Sequence, residues 1–325
     1  MDYRTPPGTD LHLPRLFLGT MTFGSQVDRD AAATMVEQSR DAGITMFDTA
    51  NSYNAGASEQ LLGELVAPFR ADVLIASKVF NPTGDGSGYR GLRRPAIEEA
   101  LEATLRRLGT DYLDLYYLHA PDWDTPIEET LGAMADAVTA GKVRQVGVSN
   151  YAAWQIAEIR CLSERNGWPT MSVSQPMYNL LARRVEDEYA ACSARYGVHN
   201  VVYNPLAGGL LSGKHTDLQS PQERGRFGAD LGPMYRARYW NDQQFAAVSA
   251  LRAIADDAGM TLLELSFRWL LGRPLVGSVL LGASSPDQLS ANLAAASGPS
   301  LSSDVQQACD EVWMTLRGAA PLYNR

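Results

Sequence analysis

Short apolar runs alternate with amphipathic stretches along most of the chain. The apolar runs end at polar residues or glycine and are typical of strands buried on both faces of a parallel sheet. After most runs, apolar residues recur with helical spacing, and several of these stretches end at a glycine. The predicted strands are residues 16–21, 44–47, 73–77, 113–118, 143–148, 171–174, 199–203 and 276–281. The predicted helices are residues 30–42, 59–66, 95–108, 126–140, 152–166, 183–196, 242–258, 262–271, 287–296 and 302–316. Ser58 is the predicted N-cap of the second helix.

This succession of strand and helix predicts an α/β fold, a (β/α)8 TIM barrel formed by residues 1–325 as a single domain. A doubly wound open sheet is the alternative, but it would carry a GxGxxG turn after the first strand, and residues 16–24 do not contain one. No stretch between units resembles a linker. The long segment 206–239, which follows the seventh strand, is predicted to lie over the barrel mouth together with a C-terminal helix and tail.

Composition, net charge and cysteine spacing argue against several classes of protein and site. With 325 residues, 45% of them hydrophobic, the chain can bury a large core without disulfides or metals. The net charge is −9 with Lys and Arg scattered, which argues against nucleic acid or an anionic membrane as a partner. The sequence shows neither a membrane span nor an apolar signal segment, so we expect a cytoplasmic protein. Cys161, Cys192 and Cys309 are far apart and outside any CxxC motif, so neither disulfides nor a zinc site are expected.

Four polar side chains follow three consecutive predicted strands. Asp48 comes directly after strand 44–47, Tyr53 follows in a loop of small and polar residues, Lys78 follows the third strand, and His119 follows the fourth. The carboxyl ends of parallel strands share one rim of a barrel, so we predict that these four side chains converge there. Each of them alone has an ordinary structural explanation, and the prediction depends on their combination.

The four groups suit proton delivery to a carbonyl oxygen. A phenol with a pKa of about 10 is a weak acid at neutral pH, and an ammonium about 4 Å away favours the phenolate by up to about three pK units. Asp48 would orient Lys78 and reduce this shift. His119 would donate a hydrogen bond to the substrate carbonyl. The four histidines show neither HxH nor HExxH spacing, so no metal site is predicted.

The sequence resembles the aldo-keto reductase superfamily over essentially its whole length. In that family Asp, Tyr, Lys and His form such a tetrad on a (β/α)8 barrel. The motifs that carry the resemblance are FDTANSY (47–53), SK (77–78), YYLHAPD (116–122), VGVSNY (146–151), YNPLAGGLLSGK (203–214) and LGASSPDQL (281–289). The stretches that resemble the branch of aflatoxin-aldehyde and succinic-semialdehyde reductases are SNYAAWQIAEI (149–159), GRF (225–227), MYRARYW (234–240) and the terminal LYNR.

The resemblance implies NADPH-dependent reduction of a carbonyl, with hydride transfer from the nicotinamide and Tyr53 as the proton donor. It implies carboxamide contacts at the ends of the fifth and sixth strands and a tyrosine stacked on the nicotinamide ring. Segment 204–213 would clasp the pyrophosphate with backbone N–H groups that its glycines leave accessible. The implied cofactor-binding residues are Ser149, Asn150, Gln175, Tyr203, Asn204, Pro205, Leu206, Gly208, Gly209, Leu210, Lys214, Arg226, Gly282, Ser284, Ser285, Gln288 and Asn292.

One of these positions departs from the common pattern. Many aldo-keto reductases carry Arg or Lys in segment 282–286, where it meets the 2′-phosphate of NADPH, and this chain has Ser285 there. A neutral hydroxyl does not supply the same charge-assisted contact. The resembled branch also carries serine and uses the arginine of its GRF motif, which corresponds to Arg226. The resemblance therefore favours NADPH over NADH.

The same branch binds a substrate carboxylate with residues that correspond to Tyr235, Arg238 and Arg325. An arginine fork matches a carboxylate because it offers paired, coplanar donors. The alternative is that these loop and tail residues are ordinary solvated charges. Together with His119 they form the implied substrate-binding set, which favours small aldehydes that carry a distal carboxylate.

Two other functions are compatible with the tetrad. Relatives with the same four residues reduce nucleotide-linked keto or enone sugars, and potassium-channel β subunits keep the barrel and bind NADPH as regulatory partners. An intact tetrad favours catalysis on a small carbonyl substrate. The resembled branch often forms dimers, so a homodimer is also expected.

Overall fold

The structure is a computed structural model that describes residues 2–84, 89–215, 218, 225–228 and 232–319. The strands are β1 (Tyr3–Arg4), β2 (Leu13–Pro14), β3 (Leu16–Gly19), β4 (Met46–Asp48), β5 (Leu74–Val79), β6 (Leu113–Leu118), β7 (Val143–Ser149), β8 (Val173–Gln175), β9 (His199–Val202) and β10 (Ser278–Gly282). The helices are α1 (Arg29–Asp41), α2 (Ala57–Val66), α3 (Arg94–Leu108), α4 (Ile127–Thr139), α5 (Ala153–Asn166), α6 (Tyr189–Tyr196), α7 (Gly232–Tyr239), α8 (Asp242–Asp257), α9 (Leu262–Gly272), α10 (Pro286–Ala296) and α11 (Ser303–Arg317).

Strands β3 to β10 are parallel neighbours in chain order and close into a barrel, with β10 paired to β3. The predicted (β/α)8 barrel is confirmed. Alternate residues of each strand face either the barrel interior or the surrounding helices. The interior cluster includes Phe17, Met46, Leu115, Tyr117 and Val201. The residues between them on the same strands belong to the larger layer packed beneath the helices.

A short hairpin covers the N-terminal end of the barrel, and the sequence pattern did not predict it. Strand β1 pairs antiparallel with β2. Leu11 and Leu13 are buried within the interior cluster, where they pack against the first layer of strand residues. The strands are two residues long, too short for an alternation of polar and apolar residues to indicate them.

Most predicted helices are present within one or two residues, but local differences have physical causes. Ser58 was predicted to cap the second helix, whereas α2 begins at Ala57 after Gly56, whose φ of 88° is favourable for glycine. Ser58 instead lies buried and its hydroxyl bonds Thr20 and Thr49. The predicted helix 183–196 is divided into a 3₁₀ turn at Arg184–Glu186 and α6.

Helix α7 lies within the long segment after β9 and was not predicted. Its sequence GPMYRARY starts with glycine and proline and gives a weak helical pattern. Among the described residues no helix is both long and apolar enough to cross a membrane.

Helix α2 is in close contact with the end of α3 at Gly63, which offers a test of the packing. A Cβ atom added there would lie 2.3 Å from the backbone oxygen of Leu108. We expect Gly63→Ala to destabilise the protein by about 1–3 kcal/mol, as overpacking does, and urea denaturation measures this. Gly272→Ala is the control, because its Cβ would meet nothing within 4 Å; equal stability of the two variants would contradict the predicted clash.

Candidate active site

The alternation along the strands places a polar layer directly above the apolar barrel interior. Asp48 follows the inward residue Met46 by two positions, and Lys78 follows Ala76 in the same way. Asp48 is paired with Ala76, and Lys78 with Tyr117, in adjacent strands. The strand register therefore brings these polar side chains to one end of the barrel, as the sequence predicted.

Lys78 and Asp48 form a fully buried ion pair at the centre of this layer. Lys78 Nζ contacts Asp48 Oδ1, and both side chains are 0% exposed. Nζ also donates to the backbone oxygen of Thr49 at 2.8 Å and lies 3.4 Å from the Tyr53 hydroxyl. Burial opposes the ammonium form, but Asp48 and then Tyr53 outweigh it, so the pKa of Lys78 is raised above its ordinary value. The lysine is a fixed cation next to the phenol.

The hydroxyl of Tyr53 does not titrate as the sequence argument expected. The net shift of the Tyr53 pKa is upward because burial outweighs the lowering by Lys78, so the sequence argument was right about the effect of Lys78 and wrong about the net shift. Burial of the phenol is the largest cause, and the Lys78 charge offsets it only in part. Because Lys78 is already neutralised by direct contact with Asp48, its remaining field at the phenol is smaller. Tyr53 therefore holds its proton at neutral pH.

His119 completes the group from β6. Its ring meets the Tyr53 ring edge-on, with centroids 6.1 Å apart. Desolvation, and then the Lys78 charge, lower the pKa of His119 to about 3. The imidazole is therefore neutral near pH 7 and serves as a hydrogen-bond donor or acceptor, not as a cation. All four predicted residues are brought together at this rim.

Gln175, which the resemblance implied as a cofactor contact, also bonds to the tetrad, and sequence reasoning did not foresee that bond. Its amide Nε2 donates to Asp48 Oδ2 at 2.8 Å, across the barrel from β8 to β4. The carboxylate of Asp48 is thus held on one oxygen by Lys78 and on the other by Gln175. The sequence indicated Gln175 as a residue of this rim, but nothing in its spacing could reveal a partner from a strand 127 positions away.

Asn150 links the implied nicotinamide contacts to the tetrad. The Tyr203 hydroxyl donates to Asn150 Oδ1 at 2.7 Å, and Asn150 Nδ2 donates to the His119 backbone oxygen at 2.9 Å. The Ser149 hydroxyl donates to the backbone oxygen of Gln175 at 3.0 Å. The four residues that the resemblance implied for this part of a cofactor lie in one network beside the tetrad.

The predicted pyrophosphate clasp is a compact turn after β9. Its first residue, Asn204, accepts from the Gly208 backbone N–H at 2.7 Å and donates to the Tyr239 hydroxyl at 2.8 Å. Gly208 and Gly209 have φ values of 71° and 105°, which strongly favour glycine. Pro205, Leu206 and Leu210 complete the turn. Tyr239, the last residue of α7, was not singled out by sequence reasoning because a buried tyrosine there has no distinctive spacing.

Two cations lie beside this clasp. The Lys214 ammonium would be 3.6 Å from a Cβ added at Gly209 and 3.8 Å from one added at Gly225. Arg226, next in the chain, has its guanidinium 5.9 Å from the Tyr235 ring centroid and close enough to influence Tyr53. Two positive side chains beside a partly exposed glycine turn, in a protein of net charge −9, fit a ligand that carries phosphates.

The opposite part of the implied cofactor site is the start of α10. The Ser285 hydroxyl accepts from the Gln288 backbone N–H and caps the helix. Gln288 Oε1 accepts from both the N–H and the hydroxyl of Ser284 at 3.0 Å. Asn292 Nδ2 donates to the Gly282 oxygen at 3.2 Å. Ser285 therefore has a structural role as a helix cap, and the turn is held open to solvent at Gly282.

The implied substrate residues are only partly described. Tyr235 and Arg238 both lie on α7, the first buried and the second exposed. Burial raises the pKa of the Tyr203 hydroxyl, and the positive charge of the Arg238 guanidinium offsets part of this shift. Arg325 lies outside the described residues.

Comparison with known proteins identifies the relatives of this chain. Residues 15–314 match the Aldo/keto reductase family. The chain is 38% identical to aflatoxin B1 aldehyde reductase member 2 of Homo sapiens, over 95% of this chain and 89% of that protein. It is 36% identical to human aldo-keto reductase family 7 member A3, over 96% and 97%. It is 34% identical to a probable voltage-gated potassium channel subunit beta of Arabidopsis thaliana, over 91% of each.

The balance of charges around Lys78 can be measured directly, because the sequence contains three lysines, Lys78, Lys142 and Lys214. With lysine labelled by ¹³C at Cε, NMR titration should show Lys78 titrating above its ordinary pKa in the wild type. Asp48→Asn should move that pKa downward, because burial, the largest opposing cause, then acts against the cation with its main partner removed.

Glu59→Gln is a matched control for this titration. Glu59 is also fully buried, but its partner is Arg107. This variant should leave the Lys78 signal in place. A Lys78 pKa that is insensitive to Asp48→Asn would contradict the assigned pairing.

Proposed function

The chain belongs to the aldo/keto reductase family, and from this premise we propose that it reduces aldehydes to alcohols with NADPH, with Tyr53 as the proton donor. The observation that carries the proposal is the buried contact of Lys78 with Asp48 and the 3.4 Å approach of its ammonium to the Tyr53 hydroxyl. The aflatoxin B1 aldehyde reductases among the relatives support an aldehyde as the substrate class.

NADPH, when bound, supplies a hydride to the carbonyl carbon. The protein's part is to supply a proton to the carbonyl oxygen, where negative charge develops. Tyr53 is protonated at neutral pH because burial raises its pKa. As the proton leaves, the phenolate that forms lies 3.4 Å from a permanent ammonium, which stabilises it. Lys78 thus acts on the product of the proton transfer more than on the resting phenol.

His119 would orient the carbonyl. A neutral imidazole can donate one hydrogen bond without competing with Tyr53 as an acid. Its pKa of about 3 supports this role, because a proton does not leave or enter the ring near pH 7. Two donors, one acidic and one not, would then hold the same oxygen.

The cofactor proposal depends on the basic side chains beside the clasp. Lys214 lies over Gly209, and Arg226 is placed next to Gly225. We assign Arg226 to the 2′-phosphate, because Ser285 is occupied as a helix cap and carries no charge. The remaining network of Ser149, Asn150 and Tyr203 would hold the nicotinamide end.

Substrates with a distal carboxylate are the finer proposal. Arg238 is exposed on α7 yet acts on the Tyr203 hydroxyl beside the tetrad network. A guanidinium there would attract a carboxylate on a short aldehyde. Small semialdehyde acids are therefore the proposed substrates.

A regulatory role is the second candidate, because a potassium channel subunit beta is among the relatives. Such a protein would bind NADPH, and carbonyl turnover would be secondary. The rate of turnover separates the two candidates, since only the catalytic proposal requires it to be fast.

The first test is NADPH oxidation with succinic semialdehyde and with 4-nitrobenzaldehyde. The wild type should reduce both, with a lower KM for the semialdehyde acid. Tyr53→Phe should lose at least about 100-fold in kcat, within the range for a general acid, while it retains NADPH binding. Binding of NADPH without turnover of either aldehyde would favour the regulatory candidate.

The second test addresses the cofactor. Arg226→Ala should weaken NADPH binding by about 1.5–3 kcal/mol, the usual value of a hydrogen bond to a charged group, and should spare NADH. Fluorescence titration of each cofactor measures both affinities. Arg165→Ala, at an exposed position in the last turn of α5, is the control. Equal loss for NADPH and NADH would rule out the 2′-phosphate assignment.

A further inference from the structure

The contacts within the tetrad do not determine which ring nitrogen of neutral His119 carries the proton. A neutral imidazole carries its proton on either Nδ1 or Nε2, and the other nitrogen is an acceptor. A ring that presents its acceptor nitrogen to a carbonyl oxygen would repel it. The usefulness of His119 therefore depends on which nitrogen is protonated.

The side chain of Asn81 meets one of these two nitrogens. Asn81 Nδ2 lies 3.5 Å from His119 Nδ1. With the amide in this orientation its nitrogen is a donor to Nδ1, which assigns the ring proton to Nε2. The contact is long, as hydrogen bonds to catalytic groups often are before the substrate binds.

The register of β5 and β6 holds the two residues together. Val79 pairs with Leu118, and the His119 N–H donates to the Val79 oxygen at 2.9 Å. The backbone oxygen of Asn81 accepts from the Asn51 side chain at 2.9 Å. The backbone at Asn81 is thus held between the end of β5 and the loop after β4, which places its side chain beside His119.

We propose that Asn81 is a positioning residue that holds His119 as the Nε2–H tautomer, so that the ring presents a hydrogen-bond donor to the substrate carbonyl. The catalytic role of this tautomer rests on the proposed carbonyl reduction. The tautomer is a property of the protein alone, and it can be tested whether or not the substrate class is right. Within the described part of the chain, the charged and titratable groups that face His119 are Lys78 from β5 and Tyr53 from the loop after β4.

The test is ¹⁵N NMR of protein labelled at histidine ring nitrogens. The sequence has four histidines, His12, His119, His199 and His215, and the signals of His119 are assigned by their loss in His119→Gln. In the wild type, Nε2 of His119 should show the shift of a protonated nitrogen and Nδ1 that of an unprotonated one, from about pH 6 to 8. Asn81→Leu should weaken this preference, and Asn81→Asp should reverse it, because a carboxylate accepts from Nδ1–H.

The kcat values of the Asn81 variants test the proposal independently of the NMR shifts. Asn81→Leu should shift the ratio of the two neutral tautomers about fivefold toward Nδ1–H, the effect of one ordinary hydrogen bond, and kcat should fall by the fraction of the Nε2–H form that is lost, without a change in NADPH affinity. In Asn81→Asp, the neutral ring has a bare Nε2, so kcat should fall at least about 100-fold at pH 8. The new carboxylate also raises the pKa of His119, and kcat should recover as the pH falls through that value, because the imidazolium regains Nε2–H.

Asn166→Asp, the same change at the end of α5, should leave both the His119 signals and the pH profile unaltered. A wild type with the proton on Nδ1 would overturn the proposal, even if every variant folds. The same holds if Asn81→Leu and Asn81→Asp keep the wild-type tautomer and kcat. If the wild type reduces no aldehyde, the proposed function fails, but the NMR result still decides the role of Asn81.

Discussion

The buried contact between Lys78 and Asp48 is the interaction on which the geometry of the site depends. Both side chains are removed from water, and an unpaired charge in such a place costs several kcal/mol. Lys78 is satisfied by Asp48 and the Thr49 oxygen, and Asp48 by Lys78 and Gln175. These partners come from β4, β5 and β8, so the charges are satisfied only when opposite walls of the barrel are in place. The hydrogen bonds of the ion pair are therefore complete only in the closed barrel.

The sequence predicted the parts of this arrangement that follow from local periodicity. Apolar runs with a polar residue at the end define both the strands and the rim, so the pattern alone places Asp48 and Lys78 there. It does not reveal the bond from Gln175 to Asp48, because that bond joins strands that are remote in the chain. The expected cap at Ser58 failed because burial gave its hydroxyl two better partners. The sign of the Tyr53 shift depended on how far burial outweighs one nearby charge, and spacing does not contain that quantity.

Asparagine supports the rim where the backbone is unfavourable for most residues. Asn54, Asn150 and Asn204 have φ values of 52°, 64° and 60°, a region that asparagine tolerates better than other non-glycine residues. Each side chain also bonds across the site. Asn54 Nδ2 donates to the Met21 and Phe23 oxygens, Asn150 bridges His119 and Tyr203, and Asn204 closes the clasp. The mouth is therefore held in shape by short polar side chains whose hydrogen bonds offset an unfavourable backbone conformation.

The charge of Lys78 acts on two neighbours in ways that complement each other. It favours the phenolate of Tyr53, and it disfavours the imidazolium of His119. One buried cation thus makes the first group a better acid than its burial alone would allow, and it adds to the desolvation that keeps the second group neutral near pH 7. Groups whose surroundings separate their acid–base behaviour in this way can hold the same oxygen in different roles. Asp48 sets the strength of both effects, because it decides how much of the ammonium's field remains for them.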